Sequence, residues 1–161
     1  MTKEEMGRGV WEHRASMMRL AVSIVHNSQD AEDAVSEAAV RAMSSADGLR
    51  DESRLRQWLL SITAHCCYDC LRKKKREQPT GNVGLFDLPV FEAEPDNPVF
   101  QKLQTLPASL SQVLTLYYYE GYLAREIAKI LRIPLSTVLM RMSRGRRKLK
   151  ALYEAEGRDA Q

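Results

Sequence analysis

The densest group of reactive side chains is the run His65-Cys66-Cys67-Tyr68-Asp69-Cys70. Imidazole, thiol and carboxylate groups this close invite three chemistries: a metal site, a redox pair, or a Cys-His-Asp nucleophile. The spacing argues against each. Cys66 and Cys70 lie one helical turn apart and could supply two ligands, but structural zinc needs four in a closed shell. The other histidines, His13 and His26, lie elsewhere in the chain. A nucleophile, its base and an orienting acid crowded onto one stretch of helix leave no loop to bind an oxyanion. Buried structural thiols in a reducing cytoplasm are the plainer reading. No enzyme activity, metal or cofactor is expected.

A second chemistry is polyanion binding. Thr137, Arg141, Arg144 and Lys148 fall at i, i+4, i+7 and i+11, so a helix carries them on one face. Short residues at its start suit base edges, and long cations further on suit phosphates. A solvated basic helix of an ordinary bundle is the bland alternative. His65, Asp69, Arg72 and Arg76 share a face by the same arithmetic, near Trp58 and Tyr68, which could stack on bases. Trp58 also has core spacing with Leu55, Leu59 and Ile62. Asp33, Glu37 and Arg41 form a third set, a polar ridge that a basic helical partner could grip; intrahelical ion pairs alone would explain it too.

The elements that must position these residues read as all-helical. The first helix is expected from Trp11 to His26, with Trp11, Met18, Ala21, Ile24 and Val25 on its apolar stripe. Asn27 or Ser28 caps a second, whose Ala31, Ala34, Val35, Ala38 and Ala42 make a narrow face for close packing. A third starts near Asp51–Ser53, points Leu55, Trp58, Leu59, Ile62 and Cys66 inward, and runs out in Arg72-Lys73-Lys74-Lys75-Arg76. Glu77 to Pro98 holds four of the six prolines and no Lys or Arg, and reads as an acidic linker. Its apolar residues Leu85, Phe86, Leu88, Val90 and Phe91 could dock on a surface. Three or four shorter helices follow. The last two, Ala124–Leu131 and one capped by Ser136, are joined by a tight turn as in a helix-turn-helix.

The chain has 161 residues and a net charge of +3, a total that hides an alternation. Residues 1–50 sum to −2, 51–76 to +4, 77–98 to −5 and 99–161 to +6. Two basic blocks, each ending a helical unit, suggest two polyanion contacts on an acidic tether. No segment is apolar enough to span a bilayer, and the charged N-terminal stretch lacks the apolar core of a secretory signal.

Leu106-Pro107, Glu120-Gly121, Glu126-Ile127-Ala128, Thr137-Val138 and Arg141 through Arg146 together resemble region 4 of the extracytoplasmic-function (ECF) sigma factors. Ala31-Glu32-Asp33-Ala34-Val35-Ser36-Glu37-Ala38 is similar to the polymerase-binding helix of that family's region 2. Trp58 to Ile62, with Asp69-Cys70-Leu71-Arg72-Lys73, is similar to its minus-10 reading helix. The resemblance implies an alternative sigma factor with region 2 over 1–76, a linker over 77–98 and region 4 over 99–161. Asp33, Ser36, Glu37 and Arg41 would then contact core RNA polymerase, at the β′ clamp helices, with the β flap as a second contact. Trp58, His65, Tyr68, Asp69, Arg72, Lys73 and Arg76 would hold the minus-10 strand, with the loop from Ser44 to Ser53 receiving a flipped base. Ser136, Thr137, Met140, Arg141, Arg144 and Lys148 would read minus-35. An anti-sigma factor is a further implied partner; a small-molecule substrate is not. The linker's acids could mimic nucleic acid near the RNA exit path.

The chain departs from that pattern in places. His65 stands where the family usually has Asn, Leu123 where a Ser or Thr cap is usual, and Leu139 and Met140 where Lys and a small polar residue are common. These leave two rivals: a DNA-binding regulator that never touches polymerase, and a sigma-like adaptor or decoy that reads no promoter.

Overall fold

A computed structural model describes residues 1–77 and 97–159, with side chains described as far as Gly157. The acidic tether, its apolar docking residues and the nucleic-acid mimicry suggested for it lie outside the described residues. The chain forms two compact units. All regular elements among the described residues are helical, as expected.

The first unit is a three-helix bundle of α1 (Lys3–Val25), α2 (Ser28–Ser44) and α3 (Leu55–Glu77), each packed on the other two. α1 begins well before Trp11. Thr2 accepts a hydrogen bond from the Glu5 N–H (3.1 Å), and the Glu5 carboxylate accepts from the Thr2 N–H (3.4 Å), so a capping box satisfies the helix end. Met6, Met17, Leu20, Ala21 and Ile24 form its buried stripe. Trp11 falls one position past that stripe and is 66% exposed, which corrects the expectation that it lies in the core. The Arg14 guanidinium stacks over its ring at 3.8 Å.

His26 ends α1 in the left-handed conformation (φ 52°), and Asn27 Oδ1 caps α2 by accepting from the Asp30 N–H at 2.8 Å. Ala31, Ala34, Ala38 and Ala42 are all buried. Their small side chains let α2 sit close to its neighbours, and its other faces turn outward. The connection to α3 has two short 3-10 turns, Ala46–Gly48 and Glu52–Arg54, with Ala46 and Leu49 buried beneath it. Asp51 caps the second turn through Ser53.

The second unit has α4 (Pro98–Gln104), α5 (Ala108–Tyr118), α6 (Ala124–Leu131) and α7 (Leu135–Asp159). Asn97 Oδ1 accepts from the N–H groups of Val99 and Phe100 (both 3.1 Å) and from the Tyr119 hydroxyl (2.7 Å), so one side chain caps α4 and ties it to the end of α5. Gly121, at φ 74°, makes the turn out of α5 that a side chain would strain. Phe100, Leu103, Val113, Leu114, Ile127, Ile130 and Val138 fill the core. Not all the helices after the tether are short, since α7 has 25 residues. Ser136 does not cap it: the Pro134 carbonyl accepts from Thr137 (3.0 Å) and Val138 (3.2 Å), which places Ser136 inside the first turn.

Candidate nucleic-acid and polymerase surfaces

Along α3 the buried set is Leu55, Leu59, Leu60, Thr63, Ala64, Cys66 and Cys67. The remaining arc carries Trp58, His65, Tyr68, Arg72 and Arg76, spaced by three, four or seven residues and none of them buried. Trp58 and His65 are both half-buried. The His65 and Tyr68 rings meet edge to face with centroids 6.4 Å apart. From Trp58 to Arg76 the stripe runs about 27 Å at 1.5 Å per residue. It begins aromatic and ends cationic, an order suited to a single strand whose bases stack and whose phosphates need neutralising. Lys73 is exposed on its flank, while Lys74 pairs with Asp30 of α2.

Two of the three thiols beneath this stripe are shielded from solvent. Cys66 and Cys67 are buried, and burial pushes the Cys66 pKa up to about 11 and that of Cys67 higher still. No cluster of three or more metal-ligating side chains occurs among the described residues.

On α2, Asp33, Ser36, Glu37 and Arg41 are all exposed, as the sequence predicts. Asp33 accepts a hydrogen bond from Gln29 (3.2 Å), and Arg41 pairs with Glu37 at 2.6 Å. Arg41 also reaches Asp69 of α3 at 3.1 Å. Those two hydrogen bonds, the one Arg41 donates to Glu37 first and the one it donates to Asp69 second, raise the Arg41 pKa. Partial burial works against ionisation of Asp69, but the bonds from Arg41 and Arg72 outweigh it and leave the carboxyl pKa below its usual value.

In the second unit, α6 and α7 form the helix-turn-helix. Leu123 has no side-chain acceptor, so α6 keeps half of a capping box: the Glu126 carboxylate accepts from the Leu123 N–H at 2.9 Å. Arg132 closes α6 in the left-handed conformation (φ 56°). α7 buries Val138, Met142 and Gly145. Ser136, Met140, Arg144 and Arg147 lie opposite that face, and Thr137, Arg141 and Lys148 form one flank of it, with Thr137 and Arg141 half-buried.

Residues 10–77 match Sigma-70 region 2, and residues 97–149 match Sigma-70, region 4. The chain is 30% identical over 155 residues to the ECF RNA polymerase sigma factor SigW of Bacillus subtilis, covering 86% of this chain and 83% of that one. The chain belongs to the ECF sigma factors. It is 29% identical to the RNA polymerase sigma-H factor of Pseudomonas aeruginosa, over 85% of this chain and 80% of its relative. Its fold matches that of the sigma factor RpoE from Bartonella quintana, solved with the anti-sigma factor NepR, at a TM-score of 0.79 and 20% identity over 94% of this chain and 98% of that one. As an alternative sigma factor, the protein directs promoter-specific transcription initiation.

Three features of this sigma factor lie beyond the spacing arguments. Val40 is 65% exposed on the outward side of α2, one turn beyond Ser36, and gives the polar ridge an apolar centre. Spacing of charged residues alone passes over it, because valine carries no charge. Arg147 stands opposite the buried face of α7, whereas Arg141 is set to the side. Arg146 is engaged within the unit: its Nε donates to the Tyr118 hydroxyl at 3.2 Å, and its guanidinium lies 5.3 Å from the centre of the Tyr117 ring.

Proposed function

We propose that the two units divide initiation between them. The α2 ridge, Asp33, Ser36 and Glu37 around Val40, docks on core RNA polymerase through the β′ clamp helices, while Arg41 at its edge braces α3. The α3 stripe captures the melted minus-10 strand: Trp58, His65 and Tyr68 meet bases, and Arg72, Lys73 and Arg76 meet phosphates. In the second unit, α7 enters the minus-35 major groove. Ser136, Thr137 and Met140 lie nearest base edges, and Arg141, Arg144, Arg147 and Lys148 lie along the backbone. The β flap is the second polymerase contact. The site of action is the cytoplasm, and the protein itself carries out no bond-making step.

One observation carries this reading: the outward stripe of α3, aromatic at one end and cationic at the other, on a bundle whose neighbouring helix presents an acidic ridge with an apolar centre. Binding energy, not ATP, would hold the opened strand, since unstacked bases are recovered by stacking on protein rings. Glu37→Lys tests the assignment of the ridge. Co-elution with core polymerase should be lost while binding of a minus-35 duplex persists; retained co-elution would overturn it.

A protein partner for the second unit is favoured by Leu135 and Leu139, which are 45% and 52% exposed one turn apart on the flank of α7 that Arg146 shares. An anti-sigma factor covering that flank would keep α7 from DNA. The sigma factor RpoE from Bartonella quintana was solved in complex with such a partner, the anti-sigma factor NepR.

A further inference from the structure

The first unit contains a line of alternating charge that crosses from α2 to α3. Glu37 Oε1 accepts from Arg41 Nη2 at 2.6 Å, Arg41 Nη2 also donates to Asp69 Oδ2 at 3.1 Å, and Asp69 Oδ1 accepts from Arg72. One end lies on the ridge assigned to polymerase and the other on the stripe assigned to DNA. An aspartate in the middle of a phosphate-binding stripe would repel the ligand. Here both of its oxygens are taken by guanidinium groups, one from each helix, and the side chain is turned along the protein surface to meet them.

We infer that Asp69 is a positioning residue, not a base contact, and that the line Glu37–Arg41–Asp69–Arg72 couples polymerase docking to strand capture. The inference rests on the assignment of α2 to polymerase and α3 to DNA. In the free protein, Arg41 is shared between Glu37 and Asp69, so Asp69 keeps a strong hold on Arg72. A cation that a docked partner places on Glu37 relieves Arg41 of that carboxylate. Arg41 then turns fully to Asp69, and Arg72 is released towards phosphate. By linkage the reverse holds: a phosphate on Arg72 frees Asp69 for Arg41 and Glu37 for the partner. All four side chains are substantially exposed, so the coupling is small, on the order of a two- to fivefold change in affinity.

The test uses the full chain and a fluorescein-labelled oligo(dT) single strand, with anisotropy read across a salt series. In the free chain, Asp69→Asn should tighten binding about two- to fivefold and steepen the salt dependence by roughly 0.7, the value of one phosphate contact on a single strand. Arg41→Gln should do the opposite, because Asp69 then belongs to Arg72 alone. Opposite signs alone would follow from the change in net charge, so the double substitution decides. With Asp69→Asn in place, Arg41→Gln should change binding little further, and a full additive loss would overturn the coupling. Circular dichroism checks that the variants are folded. In holoenzyme reconstituted with core polymerase, Asp69→Asn should gain little over wild type. If both substitutions weaken binding, or neither changes it, the coupling is wrong. If wild type does not bind core polymerase, the assignment of the ridge fails first and is identified as the cause.

Discussion

The seat of α7 on α5 depends on one missing side chain. A Cβ at Gly145 would lie 2.6 Å from Leu114 Cδ1 and 3.2 Å from its Cγ, where carbon atoms ordinarily rest about 3.5–4.0 Å apart. Leu114 is fully buried, so moving it disturbs the close-packed side chains around it. Gly145→Ala therefore has to open the α5–α7 contact by about 1 Å or force Leu114 off its rotamer, at a cost of about 1–3 kcal/mol. The higher helix propensity of alanine offsets about 1 kcal/mol of that. The expected net is a loss of about 1 kcal/mol, together with a displaced reading helix and weaker duplex binding. Gly157 is the internal control. It lies on the same helix with nothing within 4 Å of its Cβ position, so Gly157→Ala should be neutral or mildly stabilising. Hydrogen exchange at α5 and α7 amides, which localises the effect to the second unit, is the assay. If Gly145→Ala protects those amides as well as Gly157→Ala does, the close-packing account is refuted.

Three further outcomes follow from particular groups. Both ring nitrogens of His26 are buried without a hydrogen-bond partner, and burial lowers its pKa below that of the unfolded chain. The folded state thus resists protonation, so stability is fullest above about pH 6.5 and falls as pH drops through the folded value. His26→Asn, which tolerates the left-handed backbone, should flatten that slope in urea titrations; an unchanged slope would clear His26 of the effect. Cys66 and Cys67 should resist an aromatic disulfide reagent until the protein unfolds, with the half-buried Cys70 reacting first; rapid reaction of all three would contradict their burial. Arg144→Gln and Arg147→Gln should each reduce the salt slope of minus-35 duplex binding by about 0.9, whereas Arg146→Gln should not, being held by Tyr117 and Tyr118. Equal slopes for all three would mean that the tyrosines do not sequester Arg146.

Much of this architecture is written in local pattern. The alanine face of α2, the Asn27 cap and the α6–α7 pair are legible because each depends on residues within one or two turns. The start of α1 was open to the same reasoning, since Thr2 and Glu5 spell a capping box, but Gly7 and Gly9 mask the helical pattern between there and Trp11. Trp11 is misread because hydrophobic character does not fix helical phase: a single position separates it from the buried stripe. The same uncertainty explains Arg141 and Arg147, whose exposure depends on where α5 packs against α7. Ser136 has the chemistry of a cap, but the helix begins earlier, on the Pro134 carbonyl. What spacing cannot supply is contact between distant residues. Arg41 with Asp69, and Arg146 with Tyr118, are each 28 positions apart, and those contacts decide which charges face a ligand.

The central claim is that this chain brings core polymerase to promoters. Run-off transcription of fragmented genomic DNA with purified core polymerase, with the chain added or withheld, tests it most directly. The account predicts discrete, chain-dependent transcripts that share upstream elements at minus-35 and minus-10, lost with Glu37→Lys and weakened by removing Arg144 and Arg147. A chain that binds core polymerase yet starts no transcript would contradict it.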